Sequence, residues 1–221
     1  MKIEALAGSV IEGVSEVVNQ FGKVIVLEDA LVTHYMFLVY CNDGLNYYNN
    51  NPLIYGVSGY AFANNKILSD TCLLPIGSSW GWCTWKDKWL IFNPNSNQLL
   101  EKIVLSGYKN KFDFGYYPYF KMLEDNANGL NDSWAIRFYA SFFLEHGMFL
   151  FPKNTLVKNI GFDNSGIHSG NELAFDQEFG KEKIKVGVIK DNKSAISIVK
   201  KYFKFKFKQP IVKRLTNFFK W

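Results

Sequence analysis

Residues 23–30 read KVIVLEDA, and this stretch decides the fold that we predict. Residues 24–27 are apolar and mostly β-branched, which is typical of a strand buried on both faces of a parallel sheet. Glu28 and Asp29 follow at the carboxyl end of that strand. Because open α/β sheets bind ligands beyond the carboxyl ends of their strands, the sequence predicts a functional site at these two acids.

The segments around this strand alternate between helical and extended patterns. Apolar residues recur at helical spacing before Gly22 and before Gly147, and an Asn-rich stretch with Pro52 separates the next pair of elements. We expect helices over 4–21, 34–48 and 131–147, and strands over 54–60, 149–151 and 184–189. This alternation predicts an α/β fold in one sizeable domain.

The chemistry of Glu28 and Asp29 leaves two interpretations open. Acids at a strand end commonly bind a divalent cation that bridges the phosphates of a nucleotide. They are also common in solvated turns and as helix caps. Their spacing alone does not separate the two.

Four tryptophans stand within residues 78–89, which read SSWGWCTWKDKW and which we expect to form a loop. Gly81 between two indoles allows a close backbone approach to a ligand. Flat rings pack on the C–H faces of pyranoses, so the segment fits a sugar platform. A small aromatic core is the alternative, because the whole chain is rich in Phe, Tyr and Trp.

Asp132 and His168 are the remaining candidates for chemistry. Asp132 lies at the start of a predicted helix, where it either caps the helix or serves as the general base that an inverting sugar transfer needs. His168 lies in a small, polar segment, residues 159–170, where it either contacts a diphosphate or metal or is structural.

Cysteine usage and hydropathy restrict the class of protein. Cys41, Cys72 and Cys83 are widely spaced and form no CxxC pattern, so we expect reduced thiols and a cytoplasmic location. The N-terminus carries Glu4, Glu12 and Glu16 and has no continuous apolar run, unlike a signal peptide. No stretch is long and apolar enough to predict a membrane span.

The net charge of +5 is concentrated in the last segment. Residues 193–221 hold nine basic side chains and no acid, whereas the rest of the chain has 16 basic and 20 acidic groups. A nucleic-acid-binding body is therefore not expected.

Residues 200–208 alternate Lys with aromatic rings, which predicts a strand, and an amphipathic helix is expected after Pro210. Either this tail contacts an anionic membrane surface or it is an ordinary packed C-terminal segment.

Taken in order, the segments VIVLEDA, NPLIYGVSGY, SSWGWCTWKDKW and the stretch from Asn131 to Gly170 resemble bacterial glycosyltransferases of the GT-A type. The resemblance covers about residues 5–175. It is to family-2-like enzymes of polysaccharide and O-antigen biosynthesis, and more distantly to the Golgi N-acetylglucosaminyltransferase that starts complex N-glycans. It implies inverting transfer of a sugar from a nucleoside diphosphate.

The resemblance also implies roles for single residues. Asp132 matches the catalytic base, and Trp134 and Trp85 are expected on the acceptor side. The positions that match the donor site are Glu28, Asp29, Trp80, Gly81, Trp82 and His168.

Two departures from the family pattern stand out. Ala30 occupies the position of the third acid, which is expected to bind Mn²⁺ or Mg²⁺, so Asp29 is left as the candidate ligand. The strand–helix–strand unit that usually opens the family's nucleotide half is also missing, and we expect a truncated GT-A-like mixed sheet with an open apolar edge. Residues 1–190 are predicted as the partial domain and 191–221 as its tail.

We therefore expect an inverting glycosyltransferase, on the cytoplasmic face of a bacterial membrane, with a saccharide or lipid-linked acceptor. The alternative is a catalytically impaired, truncated transferase that acts as a binding or partner subunit. Ala30 and the missing unit favour this second hypothesis.

Overall fold

The computed structural model describes residues 5–64, 66–161, 177–180, 183–189 and 191–207. Within them the chain is a mixed α/β protein in which helices flank a mixed five-stranded sheet. The strands are β1 (Lys23–Val26), β2 (Leu31–Thr33), β3 (Ile54–Ser58), β4 (Thr71–Leu74), β5 (Trp82–Trp85), β6 (Met148–Pro152) and β7 (Val157–Asn159). The helices are α1 (Ala5–Phe21), α2 (Phe37–Tyr47), α3 (Lys86–Trp89), α4 (Ser96–Ser106), α5 (Lys109–Phe112), α6 (Tyr119–Ala127), α7 (Trp134–Leu144) and α8 (Asn192–Phe207).

The main sheet has the strand order β1-β5-β3-β6-β4. Strands β3 and β6 are parallel, and the other neighbours are antiparallel. It follows that β1, β3 and β6 run in one direction and end at the same edge of the sheet. A separate antiparallel ribbon joins β2 to β7.

The sequence predicts that strand β1 is buried on both faces of a parallel sheet, and this prediction is wrong. It pairs antiparallel with β5, and all four of its residues are half-buried. The reason is its position, because within the described residues β1 has β5 as its one neighbour and forms an edge of the sheet. Leu27, just after the strand, is 48% exposed.

The tryptophan segment is not the loop that we had predicted. Trp82–Trp85 forms β5, which lies between β1 and β3 and is buried throughout. Trp82 and Trp85 face opposite sides of the sheet, because side chains alternate along a strand. Trp85 donates its indole N–H to the Leu45 carbonyl of α2 at 3.0 Å, whereas Trp82 packs on Trp134 of α7.

The C-terminal segment also differs from the prediction. Residues 200–207 belong to helix α8 and not to a strand. Ala195, Val199 and Phe203 are buried at a spacing of four residues, so the helical period prevails over the alternation of Lys and Phe. The helix packs against β4, and the boundary that we drew at residue 190 stays a prediction.

The long periodic segments were predicted correctly. Helices α1, α2 and α7 and strands β3 and β6 form where they were expected, and Gly22 ends α1 with a positive φ of 77°. The described residues 184–189 form no strand, which makes that prediction wrong; Ile184 is nevertheless buried. None of the described helices is long and apolar enough to cross a membrane.

Candidate functional site

A cavity of about 390 Å³ is lined by residues just past the ends of β1 and β3, by the start of β5 and by Phe149 near the start of β6. Glu28 reaches it from the segment after β1, and Tyr60 reaches it from the segment after β3. Trp80, just before β5, and Trp134, at the start of α7, also line it. The location agrees with the rule that α/β sheets bind ligands at strand ends.

Glu28 is a half-buried carboxylate in the wall of this cavity. Burial raises its pKa above the ordinary value of 4.5, and the nearby Asp29 charge raises it further. A hydrogen bond from the Trp134 side chain acts in the opposite direction and stabilises the ionised form. A desolvated acid next to an indole donor is a common feature of binding and catalytic sites.

Asp29 and Ala30 occupy the positions at which a metal ligand was expected. Asp29 is exposed, and the Ala30 carbonyl accepts a hydrogen bond from the Ile160 N–H at 2.9 Å. The Ala30 methyl faces Gly161, where an added Cβ would stand 2.9 Å away. In the part of the chain that the structure describes, no group of three His, Cys, Asp or Glu side chains could hold a metal ion.

Three of the predicted tryptophans line the cavity. Trp82 and Trp134 stack with ring centroids 5.2 Å apart, and Trp80 meets Tyr60 edge-on at 4.9 Å. Trp82 and Trp134 are buried, whereas Trp80 is half-buried and presents part of its ring to the cavity. Trp80 is therefore the ring best placed to pack on a ligand.

Trp82 has a polar atom without a partner. Its side chain is 1% exposed, and its indole N–H has no hydrogen-bond partner among the described residues. A buried donor that lacks a partner is uncommon and calls for a water molecule or a ligand. The indole nitrogen itself is shielded from solvent, although Trp82 lines the cavity, so a ligand would reach this N–H only after the packing around Trp82 changed.

Trp85 and Gly81 do not line the cavity. Trp85 is buried against α2, on the other face of the sheet from Trp82. Gly81 has a positive φ of 58°, and an added Cβ would stand 2.6 Å from the Val157 side chain and 3.1 Å from Phe37. The close approach at Gly81 is thus made by protein side chains.

Asp132 lies outside the aromatic cavity, in the wall of a second, more open one. Its side chain is 59% exposed and forms an ion pair with Arg137 at 2.9 Å. The residue that caps α7 is its neighbour Ser133, whose hydroxyl accepts from the Ile136 N–H at 3.3 Å. Ser133 lines the first cavity, whereas its neighbour Asp132 lines the second, and the two cavities share no lining residue among those that the structure describes. His168 is outside the described residues.

Sequence patterns missed several residues of the cavity wall. Tyr117 and Tyr119 come from a Tyr-rich stretch at the start of α6, and Asn159 comes from the end of β7. The density of aromatic residues over 112–120 was the signal that could have indicated the first two. Nothing in the local sequence marks Asn159, because the pairing of β7 with β2 brings it there.

The arrangement defines a class of site: an aromatic-walled cavity with one desolvated carboxylate at the strand ends of a mixed α/β sheet. Aromatic rings next to a carboxylate suit a ligand that has apolar faces and hydroxyl groups. We found no match to this sequence among protein-family models or among curated proteins. The assignment of a function therefore depends on the site itself.

Proposed function

We propose that this protein is a GT-A-type glycosyltransferase, which transfers a sugar from a nucleoside diphosphate sugar with inversion. The observation that carries the proposal is Glu28, a half-buried carboxylate in the wall of an aromatic cavity, just past an edge strand. The mixed sheet, with β1, β3 and β6 running in one direction, supports a GT-A-like arrangement.

The cavity wall suits the donor sugar. The half-buried ring of Trp80 provides a flat surface for pyranose C–H groups, and the Glu28 carboxylate can accept two hydroxyl hydrogen bonds. Gly81 and Trp85 support this wall by packing and are not proposed as contacts.

Asp132 is the proposed general base. In an inverting transfer the acceptor hydroxyl loses its proton to a carboxylate, its oxygen bonds to the anomeric carbon, and the bond from that carbon to the diphosphate breaks. The exposed Asp132 carboxylate in the second cavity is accessible to such a hydroxyl. Trp134 and Ser133 follow Asp132 in the sequence, line the aromatic cavity and would form the acceptor side.

The binding of a divalent cation is a separate proposal. Mn²⁺ or Mg²⁺ would neutralise charge on the leaving diphosphate, with Asp29 as a protein ligand and His168 nearby by resemblance. Since the Ala30 side chain has no oxygen atom, the remaining ligands would have to be donor phosphates and water. We assign the residues of this chain no step that depends on the cation.

The proposed partners are a nucleoside diphosphate sugar and a saccharide or lipid-linked acceptor. The proposed setting is polysaccharide or lipopolysaccharide biosynthesis on the cytoplasmic side of a bacterial membrane. The sequence gives no reason to expect a nucleic acid as substrate, because residues 1–192 carry more acidic than basic groups.

A transfer assay tests the proposal. The full chain is incubated with a panel of UDP- and GDP-sugars and saccharide acceptors, and products are detected by mass spectrometry. We expect one donor to give product, with a loss of at least about 100-fold in rate for Asp132→Asn. Asp87→Asn is the matched control, because Asp87 is also an exposed acid in an ion pair. Equal rates for both variants would remove Asp132 as the base.

Ala30 favours the alternative proposal, a catalytically impaired transferase that binds its ligand or a partner chain. If the protein binds a donor without turnover, Ala30→Asp should restore Mn²⁺ binding and transfer together. Turnover by the unmodified chain would contradict this alternative.

A further inference from the structure

Helix α8 presents two unlike faces. Its inner face is held by the buried Ala195, Val199 and Phe203. At its start the Asn192 side chain accepts from the Leu73 N–H at 2.7 Å and donates to the Leu73 carbonyl at 2.9 Å. These contacts fix the rotation of the helix on the sheet, so its outer face has a defined direction.

The outer face is basic. Lys193, Lys200 and Lys204 follow each other at spacings of seven and four residues, which places them on one side of a helix, and Lys201 stands beside them. All four side chains are exposed. The 16 residues of α8 contain five lysines and no acid.

An aromatic ring accompanies these lysines. Phe205 is 84% exposed and lies one turn after Lys201 on the same side. The nearest acid in sequence is Asp191, before the helix, and its carboxylate accepts from the Ser194 N–H at 3.1 Å. The helix itself therefore carries no acid, and the one at its start bonds to the first turn.

We propose that this face, formed by Lys193, Lys200, Lys201, Lys204 and Phe205, docks on an anionic lipid surface. A row of lysines that is fixed in direction matches the negative charge of phospholipid headgroups. An exposed aromatic ring beside the lysines seats at the headgroup level. The inner face of α8 stays on the protein, so the helix contacts the membrane with the side opposite to its apolar stripe. The proposal is independent of the proposed function.

Co-sedimentation with vesicles tests the docking face on the full chain. We expect binding to phosphatidylglycerol–phosphatidylcholine vesicles, loss of that binding at high salt, and no binding to pure phosphatidylcholine vesicles. Combining Lys193→Gln, Lys201→Gln and Lys204→Gln should weaken binding more than about tenfold, because each basic residue near an anionic surface strengthens it about fivefold. Phe205→Ala should weaken binding without changing its salt dependence.

The matched control combines Lys66→Gln, Lys86→Gln and Lys102→Gln, three exposed lysines outside α8. It should bind the vesicles like the wild type. The proposal is overturned if the wild type does not bind anionic vesicles, if the α8 variant binds as well as the wild type, or if the control loses as much. Tighter binding to a single-stranded oligonucleotide than to the vesicles would also overturn it, in favour of a nucleic-acid partner.

Discussion

The indoles of Trp82 and Trp134 stack with their centroids 5.2 Å apart and their planes at 26°. This contact joins strand β5 to the first residue of α7, and both rings line the candidate cavity. One wall of the cavity is therefore part of the hydrophobic core. Substitutions there affect stability and binding together, whereas Trp80 allows the two effects to be separated.

We expect Trp82→Ala to lower the free energy of unfolding by about 3–5 kcal/mol, because it removes a fully buried ring from the core. Trp80→Ala should cost clearly less, since Trp80 is half-buried. Urea denaturation of the two variants measures both values. Equal losses would contradict the difference in burial.

Glu28→Gln should change how stability depends on pH. Burial raises the pKa of Glu28 in the folded chain above 4.5, so the folded state binds its proton more tightly than the unfolded state does. The wild type therefore loses stability as pH rises from the unfolded pKa through the folded one. The Gln variant lacks this loss.

Relative to the wild type, Glu28→Gln should thus gain stability as pH rises through that window, and the difference should stay constant above it. Urea denaturation of both proteins at a series of pH values measures it. A relative stability that falls with rising pH would mean that the ionised Glu28 is stabilised by its surroundings.

Gly81→Ala should be more destabilising than Gly107→Ala. Both glycines have positive φ, which costs an L-residue roughly 1–2 kcal/mol. An added Cβ at Gly81 also stands 2.6 Å from Val157, whereas nothing lies within 4 Å at Gly107. Overpacking adds about 1–3 kcal/mol. Thermal or urea unfolding measures the difference, and equal costs would show that Val157 yields freely.

Phe203 and Phe205 distinguish the helix α8 from the strand predicted by alternation. In a strand both rings would lie on one face, but in the helix Phe203 is buried and Phe205 is exposed. Phe203→Ala should cost about 3–5 kcal/mol of unfolding free energy. Phe205→Ala should stay within about 0.5 kcal/mol, as expected for a surface change. Similar costs in urea denaturation would contradict the helix.

The three thiols should be unreactive in the folded protein. Cys41, Cys72 and Cys83 are free and buried. Burial raises the pKa of Cys72 to about 12 and that of Cys83 well above its ordinary value, which suppresses the reactive thiolate. Titration with a thiol reagent should detect none without denaturant and all three in denaturant. Fast labelling of the native chain would show that this part of the core opens.

Long periodic segments were predictable because the spacing of apolar residues within each segment determines which of its side chains are buried. The apolar spacing in α1 and α7 depends on nearby residues alone, and so does the stop at Gly22. The surroundings of β1 were not predictable, because its antiparallel partner β5 lies nearly 60 residues further along the chain. The alternation of Lys and aromatic residues over 200–208 wrongly predicted a strand, because the packing of this segment against β4 favours a helix.

In the candidate site, too, the residues could be predicted from the local sequence, but the side of the sheet that each one faces could not. Glu28, Trp80, Trp82 and Trp134 were predicted as site residues and line one cavity. Local sequence did not separate these tryptophans from Trp85, because the face of a strand depends on which partner covers it. Trp85 bonds to α2, on the opposite side.

Calorimetric titration of UDP- and GDP-sugars into the wild type, Trp80→Ala and Trp85→Phe, with and without Mn²⁺, tests the central claim most directly. We predict that at least one donor binds the wild type and that Trp80→Ala weakens it at least about tenfold, the scale of one lost aromatic contact. Trp85→Phe should bind like the wild type. No heat of binding with any donor, or equal affinity in the wild type and Trp80→Ala, would contradict a donor-sugar site in this cavity.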